Sequence, residues 1–119
     1  MAYENTVLSL NPDRETLLRY EVALRQSDFE VISVSAPVGA RFEIEVGRCG
    51  VFISSYLTSL PILRDLASLF RRSCPNGVIV FLMERPDDNI SDADICLSHR
   101  DDPRSVVDRI RSKQGTKAG

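Results

Sequence analysis

The chain has 119 residues, a length that suits one domain with a hydrophobic core of its own. Its formal net charge of -2 gives no basic footprint of the kind that nucleic-acid binding requires. No apolar run approaches the roughly 20 residues of a membrane-spanning helix, and the first residues lack the basic and apolar regions of a signal peptide. The composition predicts a cytoplasmic globular domain that binds neither nucleic acid nor membrane.

The three cysteines, Cys49, Cys74 and Cys96, are widely spaced and form no C-x-x-C motif. The chain has a single histidine, so neither a zinc site nor a disulfide framework is indicated. Reduced cysteines in apolar strand-like segments act as small core residues, and a reducing compartment suits them. We expect no bound metal and no cofactor.

Strand-like and helix-like segments alternate from the start of the chain. The run TVLSL (6–10) predicts a strand that stops at the breaker NPD, and RETLLRYEVALRQ (14–26) predicts a helix with a broad apolar face and Asp13 as its N-cap. FEVISVS (29–35) predicts a second strand. The segment 36–48 shows helical spacing but also partial alternation, and we favour a short helix that ends at GRCG.

The second half continues the alternation. It contains, in order, the strand VFIS (51–54), the helix LPILRDLASLFRRS (60–73), the strand VIVFLM (78–83), the polar loop ERPDDNISDAD (84–94), the strand ICLS (95–98) and the helix DPRSVVDRIRSKQ (102–114). We expect the folded core to span residues 6–113 and residues 114–119 to form a flexible tail.

Short apolar strands separated by helices require crossover connections, and these produce a parallel sheet covered on both faces. We therefore predict an α/β fold, a flavodoxin-like doubly wound sheet of five parallel strands in the order 2-1-3-4-5. Five strand residues are expected in the core: Leu10, Val31, Phe52, Val80 and Leu97. Any ligand crevice should lie at the carboxyl ends of the strands.

The stretches VLSLNPDRETLLRYEVALRQSDFEVISVSA (7–36), VIVFLM and ICLSHRDDPRSVVDRI (95–110) resemble a response-regulator receiver domain, roughly over residues 6–111. The resemblance implies a role in a two-component phosphorelay and a protein partner such as a histidine kinase. In that family two acids after the first strand hold Mg²⁺, and an aspartate after the third strand accepts a phosphoryl group. A hydroxyl after the fourth strand and a lysine after the fifth bind the phosphoryl oxygens.

At these positions the sequence carries other residue types. The acid pair falls on Asn11 and Pro12 with Asp13 beside them, the acceptor on Ser54 (or on Ser55 if the register slips by one), the hydroxyl on Leu82, the lysine on His99, the following proline on Arg100 and the aromatic switch on Cys96. Mg²⁺ prefers carboxylate, phosphate and water oxygens, and a serine hydroxyl needs a base or a metal to become a nucleophile. The resemblance therefore implies a degenerate receiver, a pseudo-receiver without enzymatic activity.

The interval between Leu82 and His99 is shorter than receivers usually have. We expect the family's fourth helix to be a single turn or missing. That helix helps to form the dimerisation face of receivers, so the oligomeric state stays open.

Other interpretations of the strand ends compete. Ser54 or Ser55 with His99 as a base would suit nucleophilic catalysis, but no third group orients the histidine, so serines that satisfy local backbone groups are the better interpretation. His99 could sense pH, although a surface or capping role fits it better. Tyr56 and Leu57 could either close over the vacated phosphorylation site or contact a partner.

Three hypotheses for function follow. We favour a phosphorylation-independent binding module that contacts its partner through Tyr20 on the first helix or Arg100 at the corner after the fifth strand. The alternatives are phosphorylation at Ser54 or Ser55 by an unconventional route, and a small-molecule sensor that uses the vacated pocket.

Overall fold

The structure, a computed structural model, describes residues 3–85 and 90–118, with side chains up to residue 115. Five strands alternate with four helices. In chain order they are β1 (Thr6–Leu10), α1 (Arg14–Gln26), β2 (Glu30–Val34), α2 (Pro37–Val46), β3 (Val51–Ser55), α3 (Leu60–Ser73), β4 (Val78–Met83), β5 (Ile95–Ser98) and α4 (Pro103–Ala118). The segment 36–48, whose sequence pattern was ambiguous between helix and strand, contains the helix α2, as we favoured.

The five strands form one parallel sheet in the order β2-β1-β3-β4-β5, which confirms the predicted topology. The order places β3 in the centre, and β1, β3 and β4 each have a neighbouring strand on both sides. All six residues of β4 are buried, as expected of a strand covered by helices on both faces.

Side chains that alternate along each strand enter two separate cores. The α1/α4 core contains Val7, Tyr20, Leu24, Val51, Ile53, Val80, Leu82, Val106 and Ile110, among others. The α2/α3 core contains Leu8, Leu10, Ala40, Ile44, Phe52, Leu63, Phe70, Ile79 and Phe81, among others. Successive strand residues point to opposite faces, so a residue's place in the alternation decides which core it enters.

The predicted core residues are confirmed. Leu10, Val31, Phe52 and Val80 are buried, and Leu97 is partly buried and packs against the α1/α4 core. Tyr20 requires a correction, because it is only 2% exposed and lies in that same core. A side chain so enclosed by the sheet offers no contact area, which removes it from the predicted partner surface.

The ends of α2 show why the ambiguous segment is a helix. Pro37 occupies the first turn, where its missing N–H costs nothing and its fixed φ suits the helix. At the other end Gly47 adopts φ 79°, a left-handed conformation, and its N–H donates to the Glu43 carbonyl. The sequence GRCG therefore ends the helix through its first glycine.

The connection between β4 and β5 contains no helix in its described part, residues 84–85 and 90–94, as the sequence predicted. Asp94 anchors this connection to α3 and β4. Its Oδ2 accepts hydrogen bonds from Arg71 Nη2 at 2.6 Å and from the Ile79 N–H at 2.8 Å. Arg71 Nη1 also donates to the Gly77 carbonyl at 2.9 Å. A charged network thus holds the described part of this connection against α3 and β4.

Further contacts hold the same connection. Arg64 on α3 lies 3.7 Å from Asp92 in a largely exposed ion pair. The Cys96 thiol lies within 3.5 Å of the Ile90 N–H and 3.7 Å of its carbonyl oxygen. Cys96, the predicted counterpart of the aromatic switch, is therefore engaged in holding the loop against β5.

Helix α4 has 16 residues and is the longest of the described helices, none of which is long and apolar enough to cross a membrane. It continues to Ala118, beyond residue 113, where the sequence analysis placed the end of the folded core. The helix is held at this end by contacts to the start of the chain. Gln114 Nε2 donates to the Glu4 carbonyl at 2.7 Å, and Arg111 donates to Asn5 Oδ1 at 2.8 Å.

Candidate functional site at the carboxyl rim of the sheet

Four parallel strands end along one edge of the sheet, here called the rim. It comprises residues 11–13 after β1, 54–57 at the end of β3, 82–83 at the end of β4 and 98–100 at the end of β5. The register aligns these ends, since Leu10 pairs with Ser54, Ser55 with Leu82, and Met83 with Ser98. The fold thus brings together the positions that the sequence singled out.

The residues after β1 serve the backbone. Asn11 is buried, and its Oδ1 accepts a hydrogen bond from the Asp13 N–H at 2.9 Å. Asp13 is exposed at the start of α1, where its carboxylate accepts a hydrogen bond from the Thr16 hydroxyl. This hydrogen bond lowers the pKa of the Asp13 carboxyl. Both polar side chains are therefore occupied in forming the turn into α1.

The two serines of β3 have different environments. Ser54 is 0% exposed, and its Oγ has no hydrogen-bond partner among the described residues. By alternation it lies on the same face as Phe52, which packs in the α2/α3 core. Ser55 Oγ accepts a hydrogen bond from the Leu57 N–H at 3.1 Å, so this hydroxyl forms the rim turn. Of the two predicted acceptor positions, Ser55 is the one whose hydroxyl takes part in the rim turn.

Two aromatic rings meet across the rim. The centroids of the Tyr56 and His99 rings are 4.8 Å apart, with a tilt of 51°. Backbone hydrogen bonds fix both residues to the end of β4, from the Tyr56 N–H to the Leu82 carbonyl and from the His99 N–H to the Met83 carbonyl, each at 2.8 Å. The pair bridges the ends of β3 and β5 above Leu82, whose side chain is buried in the α1/α4 core.

Tyr56 and Leu57, for which the sequence left open covering the rim or contacting a partner, have different environments. Tyr56 is half-buried against the histidine and helps to cover the rim, whereas the Leu57 side chain remains exposed. Sequence reasoning placed Tyr56 and His99 at the rim but did not predict the contact between their rings. Periodicity in the sequence does not relate residues that follow separate strands, so only the strand order could have suggested this contact.

The corner after β5 is also built from local hydrogen bonds. Ser98 Oγ accepts from the Arg100 N–H at 3.2 Å, and Asp101 Oδ2 accepts from the Ser98 N–H at 3.2 Å. Arg100 is exposed, as its predicted role in partner binding requires. Asp101 was not singled out from the sequence, although aspartate is a residue that such turns favour.

The rim does not fit the Mg²⁺ ion that receiver chemistry uses. Pro12 has no side-chain oxygen, the Asn11 amide oxygen is bonded to the backbone, and Asp13 is the one carboxylate of this segment. Among residues 3–85 and 90–118, no three His, Cys, Asp or Glu side chains cluster as metal ligands would. An octahedral Mg²⁺ site needs several hard oxygen ligands, and this arrangement does not offer them.

A groove opens beside the rim between α1 and the start of α4. Leu18 and Val22 of α1 contribute apolar surface that is 60% and 48% exposed. Three cationic side chains and one carboxylate line the same groove: Arg19, Arg100, Arg104 and Asp102. The sequence pointed to this helix and this corner, but it selected Tyr20 in place of its exposed neighbours.

No protein-family model matches the chain, and no curated protein matches it significantly in sequence. Solved structures match it over nearly their full lengths. A response regulator receiver protein from Sinorhizobium medicae has a TM-score of 0.79 at 19% identity, covering 94% of this chain and 95% of its own. A receiver domain protein from Clostridium thermocellum has a TM-score of 0.79 at 16% identity, with coverages of 95% and 96%.

The chemotaxis response regulator of Vibrio cholerae is equally similar, with a TM-score of 0.79 at 14% identity and coverages of 91% and 97%. At these identities the matches concern the fold. Together with the sheet order, they show that this chain has the fold of response regulator receiver domains.

Proposed function

We propose that the chain is a receiver-like signalling domain that acts by binding a protein partner, without accepting a phosphoryl group and without catalytic activity of its own. The observation that carries this proposal is the Tyr56–His99 contact. It lies across the rim between the strand ends to which the family resemblance assigns the acceptor and the lysine.

The chemistry of the rim supports the same conclusion. Phosphoryl transfer depends on positive charge placed against the transferred group, which receivers supply through Mg²⁺ and lysine. Here the β1 segment lacks the acid pair, Leu82 replaces the hydroxyl, and the Ser55 hydroxyl is engaged by the Leu57 N–H. The negative charge of an incoming phosphoryl group would find no compensating metal site.

The groove between α1 and α4 is the surface we assign to the partner. Leu18 and Val22 offer an apolar strip, and the charged residues of the lining are three arginines and one aspartate (Arg19, Arg100, Arg104 and Asp102), so positive charge is in excess. An amphipathic helix with apolar residues on one face and acidic residues beside them is the complementary occupant. A signalling protein such as a histidine kinase is the class of partner that we propose, in the cytoplasm where reduced cysteines persist.

The phosphorylation test compares three proteins incubated with acetyl phosphate and Mg²⁺: wild type, S54D and S55D. We expect no mass increase in any of them, because restoring one acid leaves the metal site incomplete. A receiver with the complete acid set serves as the positive control. A stoichiometric gain of one phosphate by wild type would overturn the proposal in favour of serine phosphorylation. A gain by either variant alone would show that our account of the metal site is wrong.

The partner surface is tested with two synthetic amphipathic helices that share one leucine stripe and differ only in glutamate or lysine flanks. The glutamate peptide should bind the wild type, and V22K or R100E should weaken binding about tenfold or more by fluorescence anisotropy. I62K, a change at an exposed apolar position on α3 outside the groove, is the matched control and should bind normally. Equal binding of both peptides, or full binding by V22K and R100E, would contradict this assignment.

The sensor hypothesis is separated by native mass spectrometry of the purified protein. We expect the mass of the unliganded chain. A stoichiometric small molecule that is lost when Tyr56→Ala opens the rim would favour the sensor over the binding module.

A further inference from the structure

Helix α2 presents an apolar stripe to solvent. Val38, Phe42 and Val46 are 77%, 61% and 42% exposed. They recur every four residues, so they fall within a narrow arc of the helix surface. Single exposed apolar residues are normal on proteins, but three in register on one helix form a continuous patch.

The stripe is not needed for the core. The opposite face of α2 already supplies the buried contacts, through Ala40 and Ile44 in the α2/α3 core. This surface is also separate from the α1/α4 groove, since it belongs to the helix layer on the other face of the sheet. It therefore calls for an occupant of its own.

We infer that the α2 stripe docks against the same stripe of a second copy of this chain, with the two helices antiparallel. The stripe is symmetric about Phe42, with a valine four residues before it and a valine four residues after it. A two-fold axis near Phe42 places Val38 of one copy beside Val46 of the second copy, and the reverse contact repeats the first. Such self-complementarity is what an isologous dimer requires.

The charges beside the stripe suit this arrangement. Arg41 and Glu45 lie on one flank of the helix, 3.6 Å apart, with side chains 57% and 59% exposed. In the antiparallel arrangement the flanks of the two copies adjoin with opposite directions, so Arg41 comes beside Glu45 of the second copy. Each exposed ion pair can then be shared between the copies, and no like-charge contact dominates the edge.

The size of the patch sets the expected strength. A standard stable interface covers about 800 Å² on each partner, and a single three-turn helix offers less than that. The dimer should therefore be weak and in exchange with monomer. Dimerisation would depend on protein concentration, with dissociation expected to be complete in dilute solution.

Sedimentation equilibrium over a concentration series up to about 1 mM tests the inference, a range that covers weak association. The wild type should show a monomer–dimer equilibrium. F42K should raise the dissociation constant about tenfold or more while its melting temperature stays within a few degrees, because Phe42 is largely exposed. I62K, at an exposed apolar position on α3 that belongs neither to the stripe nor to the α1/α4 groove, should dimerise like the wild type. A wild type that remains monomeric throughout, or an F42K protein that dimerises normally, would overturn the inference.

A charge exchange distinguishes antiparallel self-pairing from other contacts of α2. R41E carries two acidic residues on the flank and E45R carries two basic ones, so each protein alone should dimerise more weakly than wild type. An equimolar mixture should form a heterodimer, because the acidic flank of one meets the basic flank of the other. A mixture that associates no better than its separate components would refute the antiparallel arrangement. None of these results depends on phosphorylation or on the α1/α4 groove.

Discussion

The substitution Asp94→Ala tests how the β4–β5 connection is held. The Asp94 Oδ2 accepts two hydrogen bonds, from Arg71 at 2.6 Å and from the Ile79 N–H at 2.8 Å, and the Asp94 side chain is 12% exposed. A hydrogen bond to a charged group contributes about 1.5–3 kcal/mol. Arg71 is 32% exposed and can hydrogen-bond to water when the Asp94 carboxylate is removed. The contribution of the Arg71–Asp94 bond is therefore taken at the lower end of that range. We expect a loss of about 2–4 kcal/mol in the free energy of unfolding.

That loss converts to a fall in melting temperature of about 10 °C for a domain of this size. Circular dichroism melts and urea titrations measure it, and both should show the change. D94N should be intermediate, since its amide oxygen can still accept from Ile79. D92A is the matched control, because the Asp92–Arg64 pair spans 3.7 Å and is more exposed, so its loss should cost less than about 1 kcal/mol. A D94A melting temperature equal to that of D92A would refute the reasoning.

Three further predictions concern buried side chains. V80D should leave little folded protein by circular dichroism, since Val80 is fully buried and an unpaired charge there costs several kcal/mol of a total of about 5–15; a soluble V80D with unchanged melting would contradict the fold. Burial raises the pKa of Tyr20 from 10.0 to about 12, so the unfolded chain ionises first, and the wild type should lose stability between pH 10 and 12. Y20F should lack that part of the pH dependence in urea titrations, and equal slopes for the two proteins would count against it. Burial also raises the pKa of Cys49 to about 11, so iodoacetamide at pH 8 should modify Cys49 more slowly than Cys96, as peptide mass mapping of the native protein would show.

The sheet order could be predicted because strand–helix alternation leaves few arrangements for a parallel sheet. The faces of the helices could not be predicted so well. In α2 the stripe of Val38, Phe42 and Val46 has the spacing of a core face, yet Ala40 and Ile44 are the residues that face the sheet. The close approach of α2 to β2 was not predictable either: a Cβ at Gly39 would lie 3.3 Å from the Val34 side chain.

The candidate site was predicted in position and only partly in detail. Strand ends identified the rim, but a shift of one residue along β3 decides whether a serine enters the α2/α3 core or forms the turn, as Ser54 and Ser55 do. In α1 the apolar residues fall on two adjacent stripes, and only the packing against β1 and β2 shows that Tyr20 is inside and Leu18 outside. The spacing of apolar residues along the sequence does not by itself show which of them are buried.

The contacts of α4 with the start of the chain have a consequence for engineering. Gln114 bonds to Glu4, and Arg111 bonds to Asn5, across sequence separations of 110 and 106 residues. Residues 4 and 114 are thus neighbours, and a short linker could join them without disturbing the sheet. New ends could then be opened at the exposed turn around Gly47, which would give a circular permutant that keeps all five strands and shortens only the last turn of α4.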